Sequence, residues 1–408
     1  MQASASSHPA GERTTLEGLP PRVALVLAAM GLGGLAVGFG LGLAQGDALR
    51  SFFRSYLANY CYFLSISLGA LFFVTLGHAT RAGWSVTTRR LAELVAANVP
   101  CLAILFLPIL VTVLSGSGSL YSWNGSSAGS EDLLRHKTAY YLNPGFFAVR
   151  AVFYFAVWGW MARFFLLRST EQDASADPAL TQRMERFSPA ALVLFAFTVT
   201  FASFDWLMSL EPAWFSTIFG VYYFSGATVG FLAAIILLAM LLQATGRLTS
   251  SITVEHYHDL AKLLFALVVF WGYIAFSQYM LIWYANIPEE TSWYLVRQSG
   301  SWKWVSVVLL FGHLLIPFFG LLPREAKRRK AILGFWAGWL LVAHWLDLYW
   351  LVVPSLEAAG LRLGLIDAGC LVGIGGVYFA GVLWTAGTRP LVPLGDPRLE
   401  ESLAFENS

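Results

Sequence analysis

The chain reads as ten long apolar runs separated by short polar stretches. They cover residues 22–44, 56–78, 91–114, 144–167, 187–208, 214–242, 259–285, 302–322, 331–353 and 365–386. A bilayer core of roughly 30 Å takes about 20 apolar residues per helix, and each run is long enough. None alternates with the period of two that a membrane β-barrel needs. The pattern predicts an all-α, polytopic integral membrane protein with about ten transmembrane helices. The first run exceeds the roughly 7–15 residues of a signal-peptide core, so it is expected to stay as the first span.

Composition supports lipid as the main solvent. Of 408 residues, 57% are hydrophobic and 12% charged, with a mean hydropathy of +0.63; soluble domains carry about 25% charged residues. The net charge of +2 is too small and too scattered to argue for nucleic acid. Cys61, Cys101 and Cys370 stand alone, without CxxC or CxxCH. That excludes a four-cysteine iron–sulfur cluster or an attached c-type haem within this chain and points to small buried packing residues. Of the 26 Lys and Arg, 18 fall in or beside the loops on the side of the two termini, led by Arg324, Lys327, Arg328, Arg329 and Lys330. The positive-inside rule then places both termini in the cytoplasm. The expected layout is an N-terminal segment 1–21, a transmembrane domain 22–387 and a short polar tail 388–408 extended along the surface. Only 115–143, outside, and 169–186, inside, are long connections, and neither is long enough to fold alone.

Ionisable residues at membrane depth are costly, so they usually have a partner or a function. His78, Glu93, Arg163, His256, His258, Asp259 and Lys262 fall toward the cytoplasm, whereas Arg150, Asp205, Glu211, Lys303, His344, Asp347 and Asp367 fall toward the outside. His313 falls near mid-membrane. His344 and Asp347 are three apart and share a helix face. The segment 255–262 fits either a functional cluster or an interfacial helix start whose acidic residues answer the helix dipole; Asp205 fits either a site or a structural pair with Arg150. Two polar groups with a histidine between them outline two proton half-channels, a role that suits imidazole, whose ordinary pKa is about 6.5. A bis-histidine haem needs facing pairs at one depth, and His78, His313 and His344 sit at three. The tryptophans, including Trp206, Trp214, Trp283, Trp293, Trp302 and Trp304, are expected to form an interfacial belt. For a transporter, Pro100, Pro108 and Pro317 are the candidate helix breaks.

The stretches 204–220 (FDWLMSLEPAWFSTIFG), 258–293, 300–323 and 344–350 (HWLDLYW) resemble the ActF subunits of bacterial alternative complex III. These belong to the NrfD-like family, which includes the membrane subunit of polysulfide reductase. The likeness runs over roughly residues 50–390 and leaves 1–21 aside. It implies two four-helix bundles, spans two to five and six to nine, plus peripheral helices. It also implies a place in the bacterial inner membrane, in a quinol-oxidising respiratory complex. The partners would be an ActC-like membrane paralogue, an iron–sulfur subunit, c-type cytochrome subunits and a terminal oxidase. Iron–sulfur clusters and c-type haems would sit on those partners, with no redox cofactor in this chain, and quinone binding here is left open. Combined with the residue depths, it gives an inner proton entry at His78, Glu93, His258 and Asp259 and an outer exit at Asp205, His344 and Asp347, with His313 between. A purely structural anchor and an independent secondary transporter are the alternatives.

Overall fold

The computed structural model describes residues 12–17, 22–124 and 132–407. Most of the expected N-terminal segment, 1–11 and 18–21, lies outside them, as do 125–131 of the expected outer connection. The described residues form sixteen α-helices and no β-sheet. Ten spans account for most of the chain. They are α1 (Arg22–Gln45), α2 (Arg50–Ala79), α3 (Val86–Ala96) continued by α4 (Val99–Leu114), α6 (Pro144–Ser175), α7 (Pro178–Trp206), α8 (Phe219–Ala244), α9 (Val254–Ala285), α11 (Trp302–Leu309) continued by α12 (Ile316–Leu321), α14 (Lys330–Val352) and α15 (Leu365–Ala386). Short helices α5 (Asp132–Tyr140), α10 (Pro288–Arg297), α13 (Arg324–Arg328) and α16 (Leu399–Leu403) lie in the connections and the tail.

Two bundles form. One contains α2, α3–α4, α6 and α7; the other contains α8, α9, α11–α12 and α14, and α2 packs on both α8 and α14. The α1–α15 pair stands beside α2. Burial follows this arrangement: 89% of the α2 window is enclosed, against 11% of α1. Lipid-facing side chains stay open, with Leu25 65% and Phe197 62% exposed. Small residues allow the close crossings. A Cβ on Gly31 of α1 would stand 2.8 Å from the Gly373 carbonyl of α15, and one on Gly69 of α2 would strike the Ala227 carbonyl of α8.

Successive spans alternate in direction, so both described ends of the chain share one face, here the termini face; the other is the distal face. The third span bends because Pro100 has no N–H to continue the ladder, and α4 starts afresh at Val99. Pro108 lies inside α4 without breaking it.

Three expectations are corrected. Residues 169–186 are not a long connection: α6 and α7 continue through them, joined only at Ala176 and Asp177, where the Asp177 side chain caps α7. The tail is not loosely extended either. Leu391 and Val392 are 2% exposed, and Asp396 pairs with Arg89 of α3. Further along, Arg398 bonds Glu185 of α7, Ser402 donates to the Trp84 carbonyl, and Asn407 accepts from Lys262 of α9. The tail is a clasp across both bundles. An Asp396→Ala protein is therefore expected to melt lower, because Arg89 keeps only Glu93, and to be cut by limited trypsin at Arg398, where the native chain resists. Thirdly, the aromatic belt is thinner than expected. Trp283 and Trp304 face lipid at 65% and 63% exposure, but Trp206, Trp214, Trp293 and Trp302 are buried.

The described part of the N-terminal segment packs as well. Arg247 donates to the carbonyls of Thr15 and Glu17, and Leu391 N–H donates to the Thr14 carbonyl. Burial alone would raise the Glu12 carboxyl, but hydrogen bonds from Ser251 and Ser250 hold it below its ordinary value.

Candidate functional site

The eight expected site residues separate into four places. Glu93 belongs to a closed ion network on the termini face of the first bundle. Arg90 Nε donates to Glu93 at 3.0 Å and Arg89 Nε at 3.4 Å. Arg90 also bonds Asp173, Ser169 and the Pro390 carbonyl. Glu93 is thus a carboxylate held between two guanidiniums at the place where the sequence suggested a proton entry. His78 is nearby, stacked on Phe165 with centroids 5.4 Å apart and Nε2 unpartnered. His258 and Asp259 sit at the start of α9. There Thr253 caps the helix, Asp259 pairs with Lys262 and Glu255 pairs with Arg328, so the segment is the interfacial helix start.

Asp205 lies in a separate place. It accepts from Arg150 Nε at 2.7 Å, from Arg150 Nη2 at 3.0 Å and from the Tyr154 hydroxyl at 2.7 Å. The guanidinium also lies 4.0 Å over the Tyr141 ring. Asp205 is thus ion-paired with Arg150, the partner that residue type and depth allowed.

The remaining three residues converge in the second bundle. His313 and His344 were expected at different depths, yet their ring centroids are 6.4 Å apart and both side chains are fully buried. The depth argument against a shared ligand therefore fails. The His344 ring fills a slot left by Gly226 and Gly230 of α8, where a Cβ on Gly230 would stand 2.6 Å from His344 Cδ2. Trp271 lies against His313 with ring centroids 3.9 Å apart and the planes tilted by 39°.

Hydrogen-bond accounting fixes the His344 tautomer. Ser65 of α2 has one hydroxyl proton and donates it to the Tyr62 carbonyl at 2.7 Å. It must therefore accept from His344 Nε2–H, 2.8 Å away. In the neutral ring this leaves Nδ1 bare, and Nδ1 has no partner. Nδ1 faces Gly226, and so does Asp347: a Cβ there would be 3.2 Å from His344 Nδ1 and 3.6 Å from Asp347 Oδ2. Among the described residues Asp347 has no cation partner. The Tyr222 hydroxyl donates to its Oδ1 at 2.5 Å and Trp271 Nε1 to its Oδ2 at 3.1 Å. Trp271 thus connects the carboxylate to His313, and both His313 nitrogens are unpartnered.

The backbone that carries His313 is unusual. Residues Leu310–Leu315 form a π turn between α11 and α12. Its cause is Pro317, which cannot donate to the carbonyl four residues back and whose ring crowds it. Ile316 N–H bonds the Phe311 carbonyl five residues back. The freed Gly312 carbonyl accepts instead from Trp339 Nε1 at 2.6 Å. Single π turns mark functional positions often enough to direct attention here.

The two sides of the cluster differ. From His258 to Trp271 along α9 is about 20 Å at 1.5 Å per residue, and the buried side chains between are Asp259 at the entrance and then Leu260, Ala261, Leu264 and Val268. On α14 the matching buried positions are Leu333, Ala337 and Leu340. Toward the distal face the groups are polar. Ser216 donates to Gln278, Gln278 donates to the Tyr294 hydroxyl, and Arg297 is buried beside them. Arg297 donates to the carbonyls of Trp293, Trp350 and Leu351 and stacks 3.4 Å over Trp293. Burial lowers the Arg297 guanidinium to about 9, against the opposing effect of Glu211. Burial in turn raises the Glu211 carboxyl, against Arg297.

Sequence reasoning missed Ser65, Tyr222, Trp271 and Arg297. A signal existed for the slot that admits His344: Gly226 and Gly230 are four apart in the sixth span, the small-xxx-small spacing of close helix contacts. A Gly230→Ala protein is expected to lose about 1–3 kcal/mol through overpacking, with the Ser65–His344 bond broken. Gly338→Ala, where an added Cβ meets nothing within 4 Å, is the control, and thermal melting in detergent compares the two.

No protein-family model matches the chain, and no curated protein is similar to it.

Proposed function

We propose that this protein is an integral membrane subunit of a respiratory quinol:electron-acceptor oxidoreductase of the alternative complex III type. It anchors the electron-transfer subunits and moves protons in its second bundle. The complex is suggested by the resemblance at 204–220, 258–293, 300–323 and 344–350. One observation carries the proton role: a buried carboxylate and two buried histidines with three unpartnered ring nitrogens among them. Such groups exchange protons when a path reaches them.

The geometry narrows the path. Asp347, His344 and His313 form its core, and Tyr222 and the Gln278–Tyr294 pair lead toward the distal face. About 20 Å of apolar packing closes the side of His258 and Asp259, so proton exchange is with the distal side in this conformation. The positive-inside rule makes that side the outside of a bacterial inner membrane, where quinol oxidation releases protons. Asp205 and Glu93, each ion-paired, serve the anchor.

Purification through a tag on this chain from its native membrane tests the assignment. The expected result is co-purification with a second ten-helix subunit, iron and c-type haem absorbance. A protein recovered alone, with none of these, overturns it.

A further inference from the structure

On the termini face some cations are matched one to one by carboxylates, as Arg328 is by Glu255. One group instead shares a single carboxylate within a cleft. Between the end of α2, the first turns of α7 and the clasp lies a cleft of about 510 Å³ that gathers Arg81, Arg186 and Arg398 around one carboxylate, Glu185. Arg398 Nη2 donates to Glu185 at 2.6 Å, and Arg81 Nε stands 3.2 Å from its other oxygen. No carboxylate among the described residues pairs with Arg186, which is exposed. Three guanidiniums against one carboxylate leave two uncompensated positive charges. Arg81 is held there by a left-handed backbone, φ 54°, at the turn that ends α2.

The cleft lies at the depth where lipid headgroups meet protein. Phe187, next to Arg186, packs against Trp160 and Phe164 with centroids 5.0 and 4.7 Å away, and Trp160 is 53% exposed. Such a half-exposed aromatic cluster marks a membrane interface. Deeper along α7, Val193 and Phe197 are 58% and 62% exposed, which gives an acyl chain an apolar track. Guanidinium forks match phosphate oxygens in a bidentate fashion, and basic pockets between spans take anionic headgroups. We propose that this cleft is a phosphate-binding site, built for the phosphodiester of an anionic phospholipid that lies along α7. Arg186 and Arg81 grip the phosphate, while Glu185 fixes the directions of Arg81 and Arg398.

The test uses the full chain, delipidated in neutral detergent and titrated separately with phosphatidylglycerol, phosphatidylcholine and inorganic phosphate, with thermal melting as the readout. Phosphatidylglycerol is expected to raise the melting temperature with saturation, and phosphatidylcholine to leave it unchanged. Arg186→Gln should weaken the phosphatidylglycerol effect about tenfold and leave the lipid-free melting temperature as it was, since Arg186 holds no protein partner. Arg81→Gln/Arg186→Gln should remove the effect. Inorganic phosphate that binds as tightly and is lost in Arg186→Gln supports the phosphate site and names a soluble anion as its source. An equal shift with phosphatidylcholine, or an unchanged phosphatidylglycerol response in both variants, overturns the proposal.

Discussion

An Arg150→Met protein is expected to lose about 3–5 kcal/mol of stability, whereas the Arg150→Met/Asp205→Leu double variant should recover most of that loss. The reason is the asymmetry of a buried ion pair. Arg150 gives two hydrogen bonds to Asp205 and a third to the Tyr141 carbonyl. Removing it leaves a buried carboxylate with Tyr154 as its one remaining donor. Removing both charges abolishes the problem and leaves apolar volume. Asp205→Asn, which keeps an acceptor for Arg150, should fall between. Unfolding titrations in mixed micelles measure all three. Equal losses in the single and double variants would show that the pair is not what holds α6 to α7, and would return Asp205 to the list of proton carriers.

Asp347→Asn is expected to cut proton movement at least tenfold, on the order of a lost general acid–base group, while electron transfer through the complex continues. The asparagine keeps the volume and can still meet Tyr222, but it cannot take up and release a proton. His344→Gln should act in the same direction by removing the bare Nδ1. The separating control is Trp271→Phe, which deletes the Trp271 Nε1 donor to Asp347 yet keeps an aromatic ring over His313. In vesicles that contain the complex, the measurement is protons released per electron at matched turnover. A lowered melting temperature with an unchanged ratio would make the cluster a packing device and support the anchor reading.

The ten spans were legible because hydropathy is a local, additive signal, and no span had to be added or removed. The helix start at Thr253 and the Arg150–Asp205 pair were each among the readings that residue type and depth allowed. What failed was lateral position. Depth along separate helices put His313 and His344 apart, because spans were treated as equal and aligned rods. In the folded chain the rings lie side by side, with His313 carried on the π turn before Pro317. Polar residues in sequence also carry no label for their partners: nothing in the sequence around Glu93 says that Arg89 and Arg90 both bond it. The tail was misread for a third reason. Its short polar string meets charges on α3, α7 and α9 that are far away in sequence, so composition alone suggested solvent.

The clasp also bears on the order of assembly. Residues 390–407 leave the ribosome after all ten spans, yet they carry the partner of Arg89 and the hydroxyl that accepts from His256 Nε2 on the other bundle. Until they dock, Arg89 has only Glu93, and His256 Nε2 lacks its acceptor. A chain stopped by a premature codon after α15 would hold the ten spans described here without the contacts that tie α3, α7 and α9 together.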